Sequence, residues 1–387
     1  MIATRAKINN LDVNFITAVV SSSKINLKCK VKTAYIGKTN CFTFGHSIYL
    51  SNSSSLVQNI GNKPLVYDIK DTFFDSLKDG DIVEIYSNGI VHVLWDKILN
   101  HDDLTLFVTN QCNANCIMCP QPPRKDEHSF FEINKAILSY LAKKNIKCIA
   151  ITGGEPTLKS EELCSLLKHA QKIFPFARID LLTNGRKLKE FSYAKQLALL
   201  NHNITFCVSF PSDNMEDFNK IMGVQSFTDT ISAIQNLGLL RQMVELRVVI
   251  MKQNCDRLPQ IAEFIYRNFP FVVHVTFMGL EIIGNAYDNF AEIDISQKEF
   301  NKNLLDAIIY LKQRDMNVSI YNMPFCLIDK RLWGFVKNSI SKWKQSYLEE
   351  CRLCIKAENC QGVFSTTKIS KYKIQAIVDD TRKHKIL

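Results

Sequence analysis

Three cysteines, Cys112, Cys116 and Cys119, fall in the run Thr109-Asn-Gln-Cys-Asn-Ala-Asn-Cys-Ile-Met-Cys-Pro120. A loop of this length can wrap three thiolates around one centre and leave a coordination position empty. Clusters of the 4Fe-4S type normally take four cysteines, so a triplet with no near fourth points to one iron open to an exogenous ligand, an arrangement for chemistry rather than storage. A partial zinc site is one alternative, but zinc takes four N/S ligands and no well-spaced fourth lies close by. A disulfide framework is the other. The thirteen cysteines are odd in number and the first residues carry no secretory pattern, so it fits poorly. A second set lies towards the C-terminus: Cys351-x2-Cys354-x5-Cys360, with Cys326 upstream. Four thiolates can fully ligate a 4Fe-4S cluster, and a structural zinc would accept the same ligands. The scattered Cys29, Cys41, Cys148, Cys164, Cys207 and Cys255 read as small buried hydrophobes.

These residues need elements to position them. From Leu104 onward, β-type runs (104–109, 147–152, 178–183, 204–209, 244–250, 272–278) alternate with helical stretches (132–144, 160–174, 227–237, 258–268), and a further strand follows at 317–321. Such alternation predicts parallel βαβ units. The fold class expected is α/β, a partial (β/α)6 TIM-like barrel with a small β-rich N-terminal domain and a cysteine-rich C-terminal extension. In barrels of this kind the reactive centre lies at the C-terminal ends of the strands. The triplet follows the first strand, Gly153-Gly154-Glu155-Pro156 ends the second, Thr183-Asn184-Gly185 ends the third, Ser209 ends the fourth and Arg247 lies on the fifth, so all would face one mouth.

With its C-x3-C-x2-C spacing, the chain resembles the radical S-adenosylmethionine (radical SAM) superfamily. The resemblance implies that Cys112, Cys116 and Cys119 hold a 4Fe-4S cluster with one open iron. That iron would chelate S-adenosylmethionine (SAM), whose reductive cleavage gives a 5′-deoxyadenosyl radical. It places Gly153 to Pro156 at the SAM ammonium, Thr183 to Gly185 and Ser209 at ribose, and Arg247 at the SAM carboxylate, where Arg can bind through two parallel hydrogen bonds. Asn-Gly as a plain turn and an Arg247 salt bridge with Glu245 are the competing readings. Met118 departs from the aromatic residue that many members place before the last cysteine; a thioether can also pack against a ring. Cys326, Cys351, Cys354 and Cys360 resemble half of the SPASM extension of peptide-modifying members. Phe364 stands where the next cysteine would be, so one auxiliary cluster is expected, with zinc as the alternative.

Longer segments narrow the resemblance. Val108-Thr-Asn-Gln-Cys through Cys119-Pro-Gln-Pro-Pro-Arg124, Val244-Glu-Leu-Arg-Val-Val, Tyr266-Arg-Asn-Phe-Pro-Phe-Val, Met278-Gly-Leu-Glu and Ser319-Ile-Tyr-Asn-Met-Pro look like the HxsC-type radical SAM protein of the His-Xaa-Ser peptide system. This implies a maturase of a ribosomally made peptide with His-Xaa-Ser repeats, a paired second radical SAM protein, and an electron donor such as flavodoxin or ferredoxin. A radical SAM modifier of RNA or of a small cofactor precursor is the rival enzyme reading, and an iron-sulfur scaffold for the paired protein is the non-enzyme one.

The 387 residues carry a formal charge of +10, which helps attract nucleic acid or an anionic ligand. The basic residues are scattered, and no RNA-binding module is legible, so nucleic acid is not expected as the partner. No apolar run approaches the roughly 18 residues of a membrane span, and a cytoplasmic location is expected. The domain expectation is a β-rich N-terminal domain at 1–100, the barrel at 101–316, the auxiliary extension at 317–365 and a basic tail at 366–387. Within the first domain, Ile82 to Tyr86 and Ile90 to Trp95 flank Ser-Asn-Gly, which predicts a hairpin with the positive φ angles of an Asn-Gly turn.

Overall fold

The computed structural model describes residues 3–11, 15–21, 32–36, 48–52, 54, 64–96, 102–124, 130–200, 203–295, 297–341, 344–366 and 374–378. Cys29, Cys41 and most of the expected basic tail lie outside them. The chain divides into two compact units. One comprises Met1–Leu106, Phe130–Ala150 and Lys168–Ala177, the other Phe107–Ser129, Ile151–Leu167 and Arg178–Leu387.

The first unit holds an eight-stranded sheet. The strand Ala3–Arg5 pairs with Ile90–Trp95, while Lys7–Asn9, separated from it only by Ala6, pairs with Leu65–Tyr67 at the other end of the strand order. One short run thus joins both ends of the sheet. Its apolar core is built from Ala18, Val20, Ile48, Leu50, Val66, Phe73, Phe74, Val83, Ile85 and Val91. The expected hairpin is present as Ile82–Tyr86 and Ile90–Trp95. Its turn differs from expectation: Gly89 has φ +87°, Asn88 is not among the positive-φ residues, and Gly89 N–H donates to Tyr86 O at 2.9 Å. That pattern is a type I turn closed by a left-handed glycine, which needs one positive φ rather than two.

A seven-stranded sheet follows, its strands in chain order: Asp103–Phe107, Cys148–Thr152, Arg178–Thr183, Ile204–Ser209, Met243–Val249, His274–Met278 and Val318–Tyr321. From the third strand to the seventh the pairing is parallel, and the curled, open order is that of a partial TIM-like barrel. Strands buried on both faces read as continuous apolar runs; Ile204 to Val208 are all buried. The covering helices show the complementary stripe, as in Leu258–Asn268, where Leu258, Ile261, Ala262 and Ile265 are buried at helical spacing. Among the described residues, no helix is long and apolar enough to cross a membrane.

Candidate active site

The cysteine loop is held by backbone contacts on both flanks. Gly154 N–H donates to Thr109 O and Glu155 N–H to Gln111 O, each at 2.7 Å. A Cβ on Gly154 would lie 2.2 Å from the Gln111 carbonyl oxygen, and one on Gly153 2.7 Å from that of Thr109, so the two glycines let the second strand end pack directly under the loop. On the other flank, Asn115 N–H donates to Met222 O at 3.1 Å and Ile117 N–H to Ile221 O at 3.0 Å. Both acceptors end the helix Met215–Met222, which Asn214 caps and Gly223 closes at φ +66°. A Cβ on Gly223 would stand 2.2 Å from the Asn115 carbonyl oxygen. Asn285 and Asn289 donate side-chain N–H to the carbonyls of Cys116 and Ile117 at 2.9 and 3.0 Å. Met118 and Ile117 rest on an apolar cluster of Ile221, Met251, Leu280, Ile282, Ala286 and Ile293.

Burial pushes the Cys112 thiol up to about 11 and raises Cys116 and Cys119; the proximity of the other thiols raises Cys112 and Cys116 further. Among the described residues no three His, Cys, Asp or Glu side chains, these cysteines included, are placed to hold a single metal ion, so the fit rests on donor chemistry: three half-buried thiols on one loop become thiolates only against a compensating positive charge, which iron supplies. The donor set therefore fits a cluster.

Glu155 is fully buried, and its carboxylate is spent on protein donors. Oε1 accepts from Thr157 N–H at 3.0 Å, Thr157 Oγ1 at 2.6 Å and Thr183 Oγ1 at 2.7 Å; Oε2 accepts from Asn184 N–H at 2.7 Å. Burial raises its pKa and the four donors oppose the rise. Pro156, at the first position of the turn that Glu155 caps, is buried beside it. Thr183 Oγ1 also accepts from Gly185 N–H, and Gly185 takes φ +81°. Asn184 reaches the cysteine loop, donating from Nδ2 to Asn113 Oδ1 at 2.8 Å with Cys112 Sγ 3.9 Å away, and Arg186 donates to the Asn113 carbonyl. Glu155, Thr183 and Asn184 are thus brought together, as a brace tying two strand ends to the cysteines.

Ser209 and Arg247 stand in register on adjacent strands, continued by Thr276 and Ser319. Arg247 Nε donates to Glu245 Oε1 at 2.6 Å; Glu245 Oε2 meets His274 Nδ1 at 2.9 Å, and His274 Nε2 meets Ser319 Oγ at 2.9 Å. The salt bridge with Glu245 is formed, yet it engages only Nε. Among the described residues, the terminal guanidinium N–H groups and the Ser209 hydroxyl have no protein acceptor or donor, and both side chains are only partly buried. Burial works against the Glu245 carboxylate, but His274 and Arg247 hold its pKa below the ordinary 4.5. His274 was not among the sequence candidates, and Glu245 entered only as the competing salt-bridge partner of Arg247. Period-two spacing puts Glu245 on the same strand face as Arg247, where the bridge forms; the His274 partnership is a register property that one sequence does not carry. The loop supports Gly223, Asn285 and Asn289 were also missed, although Asn214 before and Gly223 after an apolar-periodic run are helix start and stop signals.

The four C-terminal cysteines share one cavity. Cys326, Cys351, Cys354 and Cys360 line one small cavity with Pro324, Val363 and Ile374. Gly362 N–H donates to Cys360 Sγ at 3.5 Å and Ile377 N–H to Cys354 Sγ at 3.4 Å. Among the described residues no three His, Cys, Asp or Glu side chains are placed to hold a single metal ion, so the fit to a cluster rests on the shared cavity and the N–H donors to sulfur. Of the scattered cysteines, Cys164, Cys207 and Cys255 are buried as expected, while Cys148 is half-exposed.

A family model described as the Radical SAM superfamily matches residues 106–265. A probable GTP 3′,8-cyclase of Saccharolobus islandicus is 28% identical over 167 residues, covering 42% of this chain and 52% of that protein. The GTP 3′,8-cyclase of Petrotoga mobilis is 28% identical over 217 residues, covering 54% and 64%. The chain thus spans between about half and two thirds of the length of these curated relatives. Streptococcus suis SuiB bound to S-adenosylmethionine shares the fold, with a TM-score of 0.54 at 15% identity over 73% of this chain and 78% of that one.

Proposed function

We propose that this chain, supported as a radical SAM protein by the superfamily match over residues 106–265 and the fold shared with SuiB, is an enzyme that modifies a ribosomally made peptide. The observation that carries the catalytic part is the cysteine loop, braced from two strand ends and a helix end, beside a barrel mouth where Ser209 and Arg247 keep free hydrogen-bonding groups. When bound, the 4Fe-4S cluster and SAM supply a 5′-deoxyadenosyl radical able to abstract an unactivated hydrogen. Cys112, Cys116 and Cys119 would hold the cluster. Asn184 fixes the loop beside Cys112, and Glu155 fixes Asn184, so its carboxylate acts as a brace and the Gly153 to Pro156 contact with SAM falls to backbone groups. Ser209 would take the ribose and the terminal N–H groups of Arg247 the SAM carboxylate. Cys326, Cys351, Cys354 and Cys360 would hold an auxiliary cluster as an acceptor for substrate electrons.

The peptide substrate is supported by the HxsC-type likeness of Val244 to Val249 and Ser319 to Pro324, the segments that carry Arg247 and Ser319, and by the open edge of a seven-stranded partial barrel, which admits a large substrate. On this reading a His-Xaa-Ser peptide is the substrate, with a paired second radical SAM protein and a flavodoxin or ferredoxin donor. A nucleotide substrate is the second reading, favoured by the curated cyclase relatives. Anaerobic reconstitution followed by mass spectrometry for 5′-deoxyadenosine, with a His-Xaa-Ser peptide or GTP, separates the two. Cleavage that rises with the peptide and changes its mass supports the first; the same response to GTP alone replaces it. No SAM cleavage from iron-replete protein with its paired enzyme would make the chain a scaffold.

A further inference from the structure

Residues Ile374–Val378 come from the stretch that composition marks as a basic tail, yet they lie against the four-cysteine cavity. Ile374, Gln375 and Ile377 line it together with all four cysteines. Gln375 lies in this lining with Cys326, and Ile377 N–H donates to Cys354 Sγ at 3.4 Å. Ile355 N–H in turn donates to Ile377 O at 3.0 Å, which ties the segment to the residue after Cys354. Ile374 is buried and packs on Leu327 and Val363 with Cys326 and Cys351. With Gly362 on Cys360, two of the four sulfurs receive a backbone N–H, and one of the two donors comes from a segment that contributes no cysteine.

A backbone N–H pointed at a ligating sulfur spreads the negative charge of the reduced state, and a covering apolar side chain excludes water; both tune an iron-sulfur potential. We propose that Ile374–Val378 is the cap of the auxiliary site, sealing the cavity and raising the reduction potential of the iron-sulfur group held there through the N–H group of Ile377. The inference rests on the iron-sulfur reading of these four cysteines.

The test uses the full chain with Cys112, Cys116 and Cys119 replaced by Ala, so that only the auxiliary group is titrated. After reconstitution with iron and sulfide, EPR-monitored redox titration compares Gln375→Pro with Gln375→Ala, and Ile377→Pro with Ile377→Ala. Proline deletes the donor and alanine keeps it. The Gln375 side chain is exposed, so its alanine variant should hold the parent potential. Ile377→Pro should titrate at a more negative potential than Ile377→Ala, while the Gln375 pair reads the effect of proline without loss of a sulfur donor. Replacing residues 374–378 with a Gly/Ser stretch should also speed iron loss to a chelator. Equal potentials within the Ile377 pair, with iron retained and no faster loss from the Gly/Ser variant, would overturn the cap. Zinc in place of iron on elemental analysis would overturn the cluster reading instead, and the two failures are distinguishable by metal content alone.

Discussion

Glu155 is the residue whose chemistry differs most from its motif. A carboxylate accepting four donors in full burial cannot be traded for an amide, which would turn an NH2 towards N–H and O–H groups. Glu155→Gln should cost about 1–3 kcal/mol in chemical denaturation and weaken SAM binding, read by calorimetry on the reconstituted protein. Glu245 gives the pH-dependent case. Its folded pKa is held below its ordinary 4.5, so its contribution is fully present above that value and is lost as the pH falls through the folded one. The stability gap between the parent and Glu245→Gln should be roughly 2–4 kcal/mol at neutral pH and should close in the acid range; a gap constant with pH would show that the pairing of the carboxylate with His274 and Arg247 is not the source. Residue types and spacing made Cys112 to Cys119, Glu155 and Arg247 visible in the sequence. Their hydrogen-bond partners were not, because hydrogen-bond allocation between strand ends is set by three-dimensional register.

Among elements, the helix Met215–Met222 matters most to the site, since its last two carbonyls receive the N–H groups of Asn115 and Ile117. Gly223→Ala should therefore act twice, through left-handed strain of about 1 kcal/mol and through collision with the Asn115 carbonyl. The expected readout is a fall in iron bound by the three-cysteine loop, with the four-cysteine site unaffected; unchanged iron would place no shelf role on this helix. The seven strands were legible to within about two residues because apolar β-type runs ending at Gly, Asn or Ser punctuate a βα repeat. Met215–Met222 escaped because it is short, with Glu216, Asp217, Asn219 and Lys220 leaving only Phe218, Ile221 and Met222 buried, and the hairpin turn differs because Asn-Gly serves both turn types.

For the whole molecule, two cluster sites predict about eight irons per reconstituted chain. Cys326→Ala with Cys351→Ala should halve the count while leaving SAM-dependent spectral change at the barrel site; a parent count near four would remove the auxiliary cluster. That two cysteine sets exist was readable from spacing alone. That the second is completed by residues 374–377 was not, because the long-range return of a basic stretch leaves no periodic trace. The N-terminal sheet has a consequence of another kind. Since residues 3–9 pair with His92 and its neighbours on one side and with Leu65–Tyr67 on the other, proteolytic trimming there would bare two strand edges at once. Loss of so few residues should leave a chain that self-associates through β-pairing, visible as light scattering that grows with concentration while the seven-stranded sheet stays folded.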